Sequence, residues 1–237
     1  MRLLIIRPQP GNDASASRVQ AAGFEPVQLP LFQVEPVDWS VPDPSHYDAL
    51  LITSANAIRQ GDDALSALLS LPVHAVGAHS AGIAAKAGFT IATTSTSGAN
   101  EAVAAAGSAG HTNLLWLAGE DRSALESISD VQVEPVTVYR SATLQPAGDA
   151  RATVASCEAV ALHSIRAAQY FGTCCDSWQL DRAAFSIAAF SPAIAAAAGE
   201  GWRAVAVAAA PNDDALLSAL AALGKLGATG SDKEYRI

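Results

Sequence analysis

A set of short landmarks in the first half of this chain returns in the same order about 110 residues later. Each landmark is a strand-like run or a turn at which a helix is expected to begin. The matched pairs are Asp48-Ala49-Leu50 with Glu158-Ala159-Val160, residues 75–89 with 188–202, residues 3–8 with 114–118, and Glu25-Pro26-Val27 with Glu134-Pro135-Val136. Alanine-rich sequence raises similarity by chance, but chance does not readily preserve the order of several landmarks. The chain is therefore expected to contain one structural unit twice.

Between these landmarks, short apolar runs alternate with alanine-rich stretches along most of the chain. Residues 3–8 and 47–53 have the length and hydrophobicity of buried strands, while 14–22 and 57–69 are predicted helices. Gly23 would end the first of these helices. Alternating strands and helices favour a parallel sheet that is covered by helices on both faces. The sequence thus predicts an α/β protein with doubly wound parallel sheets.

The order of the repeated segments also predicts how the chain divides into domains. A single segment is too small for a doubly wound sheet, so each domain needs two of them. Residues 40–138 can combine locally, which leaves 1–33 and 157–223 to form a second, discontinuous domain. The two crossings, 34–39 and 139–156, would form a two-stranded linker that acts as a hinge, with a ligand cleft between two similar domains.

The composition limits the classes of protein to which the chain can belong. Half of its 237 residues are hydrophobic and 16% are charged, which suits a globular core and is unlike a disordered chain. No apolar run approaches the roughly 18 residues of a membrane span, and the apolar residues 1–6 are too few for a secretion signal. We therefore expect a soluble, cytoplasmic protein whose three cysteines stay reduced and whose polar tail, 224–237, is flexible.

The net charge and the motif content argue against several functions. A formal net charge of -9 disfavours nucleic-acid partners, because phosphate backbones would be repelled. The chain lacks the glycine-rich nucleotide loops, the HExxH zinc motif and the GxSxG nucleophile motif. The histidines show no metal-ligand spacing, so we expect no metal site and a structural role for each of them. They are His46, His74, His79, His111 and His163.

A small hydroxyl residue follows several of the predicted strands, immediately before a predicted helix. These residues are Thr53, Ser54, Ser80, Ser97, Ser164 and Ser191. Helix N-termini at the carboxyl ends of parallel strands carry free N–H groups and a positive dipole end, which suit an anionic ligand. Taken singly, each hydroxyl could instead be a simple helix cap. The arginines near these turns are Arg7, Arg122, Arg140 and Arg166.

Landmarks spread over residues 3–223 resemble one known family, the uroporphyrinogen-III synthases. The matching residues are Arg7-Pro8, Gly23, Pro30-Leu31, Asp48-Ala49-Leu50, Thr53-Ser54, Val76-Gly77, Gly98, Asn100-Glu101, Gly119-Glu120, Arg122, Val138-Tyr139-Arg140, Ala188 through Ser191, and Asn212 through Leu217. No single landmark is specific in so divergent a family, and the resemblance depends on the order and spacing of the whole set. The fold of that family has two similar α/β domains joined by a two-stranded linker, with a discontinuous first domain.

The resemblance implies a reaction. The expected substrate is hydroxymethylbilane, an open chain of four pyrroles that bear acetate and propionate groups. The enzyme would remove water, close the ring and invert the last pyrrole, ring D. Neither a metal nor an organic cofactor is expected. A monomer is expected because the sequence shows no long exposed apolar stripe, and the resemblance further suggests a transient contact with hydroxymethylbilane synthase.

The resemblance also implies roles for individual residues. Tyr139 matches a family tyrosine that is proposed to assist the departure of hydroxide, because a phenol can donate a hydrogen bond to the leaving oxygen. The expected substrate-binding residues are Arg7, Thr53, Ser54, Ser80, Gly98, Asn100, Arg122, Ser164 and Ser191. The chain departs from the family pattern at His79, at His163 and at Phe190-Ser191-Pro192, which affects the expected anion contacts rather than the fold.

Other functions fit parts of the same pattern. A two-domain hinge protein could bind a small anionic or tetrapyrrole ligand without turnover. A synthase-like domain that has lost its activity could serve as a regulatory partner. A nucleotide-dependent enzyme fits less well because the glycine fingerprints are missing. Catalysis by positioning leaves no sequence motif, so the sequence does not separate an active member of the family from an inactive one.

Overall fold

The computed structural model describes residues 1–122, 124–126, 130–145 and 148–228. These residues divide into two compact units. Unit 1 consists of Met1–Gln33 with Thr143–Ile237, and unit 2 consists of Val34–Ala142. An inserted segment within a discontinuous one is also what the repeat in the sequence predicts.

Strands and helices alternate along the chain. The first half contains β1 (Arg2–Ile5), α1 (Gly11–Ala21), β2 (Glu25–Gln28), β3 (Phe32–Pro36), β4 (Ala49–Ile52), α2 (Ala55–Gln60), β5 (Val73–Val76), α3 (Ala78–Lys86), β6 (Ile91–Ser95), α4 (Ala99–Ser108) and β7 (Asn113–Gly119). The second half contains β8 (Gln132–Thr143), α5 (Ala150–Ala155), β9 (Ala159–Leu162), α6 (Ile165–Ser177), β10 (Ser186–Ala189), α7 (Pro192–Ala197), β11 (Ala204–Val207) and α8 (Asp213–Ala228). The chain passes from one unit to the other within β3 and within the last residues of β8.

The two sheets share one strand order. The first sheet has the order β11-β10-β9-β1-β2, and the second has the order β6-β5-β4-β7-β8 with β3 added at its edge. Strands β4, β5, β6, β7 and β8 thus correspond to β9, β10, β11, β1 and β2. The pairings within these two sets of five strands are parallel. The predicted α/β class with parallel sheets and the predicted internal repeat are both confirmed.

The central strands are apolar at consecutive positions because helices cover both faces of each sheet. Leu4 on β1 packs in one buried cluster with Phe171 of α6. Its neighbour Leu3 packs in a second cluster with Val19 of α1 and Leu216 of α8. Unit 2 likewise contains two buried clusters that share strands β4 and β7. This arrangement places the strand ends and the first turns of the helices along one edge of each sheet.

Some predicted boundaries are wrong, each for a local reason. The expected helix 57–69 is interrupted at Gly61, where a side chain would lie 2.8 Å from the carbonyl of Ala57 and from Leu65, and a 3₁₀ turn follows at Asp63–Leu68. The expected linker 139–156 contains helix α5. The tail is expected to begin at residue 224, but α8 continues to Ala228, because extending a helix that already exists avoids the cost of nucleation. Residues 146–147 of the linker and 229–237 of the tail lie outside the described residues.

Two expectations from composition can be compared with the structure. Cys157, Cys174 and Cys175 are buried free thiols, as predicted. Burial raises the pKa of Cys175 to about 12, so this thiol stays protonated at neutral pH. Among the helices that the structure describes, none combines the length and the hydrophobicity that a membrane crossing requires.

Candidate active site

A pocket of about 380 Å³ opens in unit 2, at the carboxyl ends of β4 and β7 and the first turns of α2 and α4. Its volume lies within the range of roughly 300–1,000 Å³ that is usual for ligand sites. The lining residues are Thr53, Ser54, Ser97, Ala99, Asn100, Trp116, Gly119, Asp121, Arg122, Ala124, Leu125 and Tyr139. Five of the residues that the sequence analysis expects at the site therefore line one pocket.

Two hydroxyl groups lie side by side after β4. Ser54 is the N-cap of α2, and its Oγ accepts a hydrogen bond from the backbone N–H of Asn56 at 3.2 Å. The Oγ1 of Thr53 accepts a hydrogen bond from the indole Nε1–H of Trp116 at 3.1 Å. Within the described part of the chain, neither hydroxyl donates to a protein acceptor. Each oxygen is already an acceptor, so each hydroxyl can donate its hydrogen to a ligand.

The first turn of α4 supplies an amide donor. Gly98 is the N-cap and adopts a φ of 121°, a conformation that favours glycine. Asn100 Oδ1 accepts the backbone N–H of Glu126 at 3.1 Å, which identifies the oxygen and leaves the side-chain NH₂ as the group available to a ligand. The carboxylate of Glu101 accepts the N–H groups of Ser97 and Thr96, and these bonds lower the pKa of Glu101. That carboxylate is therefore part of the helix cap.

Arg122 is anchored beside the pocket by one of its nitrogens. Its Nη1 donates to the carbonyl of Gly119 and to Thr137 Oγ1, both at 3.0 Å. A guanidinium has five N–H donors, so anchoring through Nη1 leaves Nε and Nη2 for an anion. Asp121, the neighbouring acidic residue, also lines the pocket.

The ring of Tyr139 lies directly over Gly119. The two residues are cross-strand partners on β7 and β8 at a break in the regular register. A Cβ atom added to Gly119 would lie 2.7 Å from the Cζ and 2.9 Å from the hydroxyl oxygen of Tyr139, so only glycine leaves room for the ring. Among the described residues, the Tyr139 hydroxyl has no hydrogen-bond partner. It is thus available to a ligand.

The sequence model of the family described as Uroporphyrinogen-III synthase HemD matches residues 13–218. The chain belongs to the uroporphyrinogen-III synthase family. Members of this family are cyclising enzymes of tetrapyrrole biosynthesis, and this protein is an enzyme of that class. A search of curated proteins found no match.

One solved structure supports the fold. The crystal structure of uroporphyrinogen-III synthetase from Helicobacter pylori 26695 is similar with a TM-score of 0.61 at 15% sequence identity, covering 94% of this chain and 100% of that one. A mutant uroporphyrinogen III synthase from the extremely thermophilic bacterium Thermus thermophilus matches with a TM-score of 0.49 at 14% identity, covering 97% of this chain and 99% of that one. At 15% identity, the similarity to the Helicobacter pylori structure shows that the two chains share a fold and nothing further.

The remaining residues that the resemblance to the synthases suggests lie outside this pocket. Ser164 and Ser191 belong to unit 1, where they are the N-caps of α6 and α7 and accept the N–H groups of Ala167 and Ile194. The predictions of Ser97 and Ser80 as caps are wrong. The N-cap of α4 is Gly98, one residue after Ser97. Ser80 is buried within α3, because the helix begins at Ala78 after Gly77, whose φ of 79° suits glycine.

Arg7 contributes to a buried polar network in unit 1 that centres on the C-terminal synthase motif. Asp213 accepts hydrogen bonds from Ser15 Oγ at 2.9 Å and from Arg18 Nη1 at 3.1 Å, and it lies 3.0 Å from His163 Nε2. The Nη1 of Arg7 donates to Ser15 Oγ at 3.2 Å and lies 3.9 Å from Asp213. These contacts give Arg7 a structural part, and its role towards a substrate stays a prediction.

Seven of the twelve lining residues are not among the expected catalytic and substrate-binding residues, and these are Ser97, Ala99, Trp116, Gly119, Asp121, Ala124 and Leu125. Trp116 belongs to the buried cluster around α4, and Leu125 packs against it. Their hydrophobicity in the sequence therefore indicates core residues and not site residues. Asp121 and Ala124 lie after the end of β7, close to Gly119-Glu120 and Arg122 but not among the residues that match the family. The position of Asp121 directly beside Arg122, just beyond a strand end, is the one signal that could have indicated it.

Proposed function

We propose that this chain converts hydroxymethylbilane to uroporphyrinogen III and that the pocket of unit 2 holds part of that substrate. The family match supports the reaction. The pocket supports the location, because Thr53, Ser54 and Asn100 have their oxygens engaged and present hydrogen-bond donors, and Arg122 adds a cation. A substrate with acetate and propionate groups offers carboxylates. An ionised carboxylate accepts hydrogen bonds and donates none, so it suits a pocket that presents donors.

The proposed catalysis depends on position. Hydroxymethylbilane is reactive and closes unaided, but without inversion of ring D. The enzyme therefore has to fix one conformation of the chain and exclude the uninverted closure. In the proposed mechanism Tyr139 donates a hydrogen bond to the departing hydroxide, and Gly119 provides the space in which the ring of Tyr139 is held.

Replacement of Tyr139 by phenylalanine tests this mechanism. We expect Tyr139→Phe to lower kcat about tenfold or more, because one donor to a developing negative charge is lost while the ring keeps its packing. The measurement is turnover of hydroxymethylbilane generated in place, with separation of the product isomers. Tyr47→Phe is a matched control, since its hydroxyl donates to Glu134 at 2.7 Å outside the pocket. Equal kcat values for the Tyr139 variant and the wild type would remove Tyr139 from the mechanism.

Replacement of Arg122 by alanine tests the binding of carboxylates. We expect Arg122→Ala to raise KM for hydroxymethylbilane about tenfold or more, because a hydrogen bond to a charged group is lost. The melting temperature should change little, since the anchored guanidinium lies at the surface of the unit. Arg59→Ala, on the exposed side of α2, removes the same charge and serves as the control. A large drop in melting temperature with an unchanged KM would instead make Arg122 structural.

We also propose a cytoplasmic, monomeric enzyme that contacts hydroxymethylbilane synthase transiently. The reactivity of the bilane supports such a contact, because a short path between the two enzymes leaves less time for spontaneous closure. Analytical ultracentrifugation of the purified chain, alone and mixed with that synthase, measures both the monomer and the contact.

A further inference from the structure

Trp116 lines the pocket of unit 2 but is held mainly by the core. The residue is 6% exposed and belongs to a buried cluster with Leu51, Val103 and Ala118. Its one polar atom, Nε1, donates to Thr53 Oγ1 at 3.1 Å. The indole N–H is a donor and never an acceptor, so this bond has one direction only: Thr53 must accept.

We propose that Trp116 is a positioning residue that makes Thr53 a hydrogen-bond donor to a substrate carboxylate. A free threonine hydroxyl can rotate and serve either as a donor or as an acceptor. The indole N–H occupies one lone pair of Oγ1 and so favours the orientations that direct the hydroxyl hydrogen away from the ring. The stiff χ1 angle of a β-branched side chain limits the remaining freedom. This inference rests on the proposed function, which supplies the carboxylate.

The hydroxyl of Ser54, next to Thr53, also accepts a hydrogen bond from the protein, but from a backbone N–H. Ser54 Oγ accepts a backbone N–H, that of Asn56, at 3.2 Å. Both hydroxyls after β4 therefore accept from the protein, which leaves both hydrogens for a ligand. At Ser54 the donor is backbone and a side-chain substitution does not remove it. At Thr53 the donor is the indole of Trp116, so the effect of the donor can be measured.

A double-mutant cycle tests the proposal. The steady-state kcat and KM for hydroxymethylbilane are measured for the wild type, Trp116→Phe, Thr53→Val and the double variant. We expect Trp116→Phe to raise KM about threefold to tenfold, the range of one net hydrogen bond, with kcat within about twofold of the wild type. In the Thr53→Val background the same tryptophan substitution should leave KM unchanged, because the hydroxyl through which Trp116 acts is gone.

Two controls separate positioning from packing. Trp202→Phe removes an indole whose Nε1–H donates to the carbonyl of Gly199 in unit 1, and its KM should equal that of the wild type. Thr53→Ser keeps the hydroxyl but loses the β-branch that stiffens χ1, so its KM should lie between those of the wild type and Thr53→Val. An unchanged KM for Trp116→Phe, or KM effects of the two single variants that multiply in the double variant, would overturn the proposal. If the wild type itself forms no isomer III, the proposed function fails and the role given to Trp116 fails with it.

A spectroscopic measurement decides the matter if Trp116→Phe does not fold. The four indole N–H signals of the ¹⁵N-labelled wild type are assigned with variants of the other tryptophans. Titration with uroporphyrin III, the oxidised product, should shift the Trp116 signal in the wild type, and Thr53→Val should make that shift smaller at saturation. An unmoved Trp116 signal in the wild type at saturation would contradict the proposal.

Discussion

Asp213→Ala is expected to lower the free energy of unfolding by about 3 kcal/mol, because a buried carboxylate with several hydrogen-bonding partners is removed. His163 and Ser15 would lose their acceptor in the interior, and Arg7 would lose the nearest negative charge. The effect is large because the buried donors that remain would have no acceptor, and each unsatisfied buried donor costs its desolvation free energy. Urea denaturation of the purified variant measures it.

Asp214→Ala is the matched control for that substitution. Asp214 is exposed and lies in the same first turn of α8, so its loss removes only a favourable interaction with the helix dipole, about 0.3–1 kcal/mol. Equal, small changes in the two variants would show that the Asp213 network contributes little to stability.

The pH dependence of stability gives a second check on Asp213. Burial alone would raise the pKa of this carboxyl, but hydrogen bonds from His163 and Ser15 and the charge of Arg7 outweigh burial and hold the pKa at about 2. A depressed pKa contributes stability above the unfolded value of 3.8, and this contribution is lost as the pH falls through about 2. Urea denaturation over this acid range should therefore show a loss of stability that is about 2 kcal/mol larger in the wild type than in Asp213→Ala.

Gly119→Ala should lower kcat about tenfold or more. The product should also contain less isomer III and more of isomer I, which spontaneous closure gives. The new Cβ would lie 2.7 Å from the ring of Tyr139, so either the ring or strand β8 has to move. A displacement of even about 1 Å in a positioned group can reduce rates severely. Gly82→Ala in α3 makes the same change where a Cβ meets open space, and its kcat should equal that of the wild type. Retained kcat in Gly119→Ala would contradict the role given to the position of Tyr139.

Much of the fold follows from the sequence because its information is local. The apolar runs of β4 and β9 are readable as strands that are buried on both faces. The repeat of landmarks then relates the two sheets, whose strand orders agree. Helix starts were less predictable. Ser80 resembles a cap in sequence, yet the backbone conformation of Gly77 begins α3 three residues earlier.

The site was predictable where position alone decides it. Thr53, Asn100 and Tyr139 line one pocket because the carboxyl ends of parallel strands and the first turns of the helices that follow them lie along one edge of the sheet. Side-chain partners were not predictable. The bond from Trp116 to Thr53 spans 63 residues and that from Ser15 to Asp213 spans 198, and no local pattern encodes such distant pairs. The resemblance had indicated Asp213 as part of a motif but not as the centre of a buried network.

The isomer composition of the product is the most direct test of the proposed reaction. Hydroxymethylbilane is generated in place by its own synthase, this protein is added, and the product is oxidised and separated by chromatography. The proposed function predicts isomer III above the spontaneous isomer I background, in proportion to the protein added and reduced in Tyr139→Phe. Isomer I alone, in the presence of folded protein, would contradict it and would favour a binding role for the same pocket.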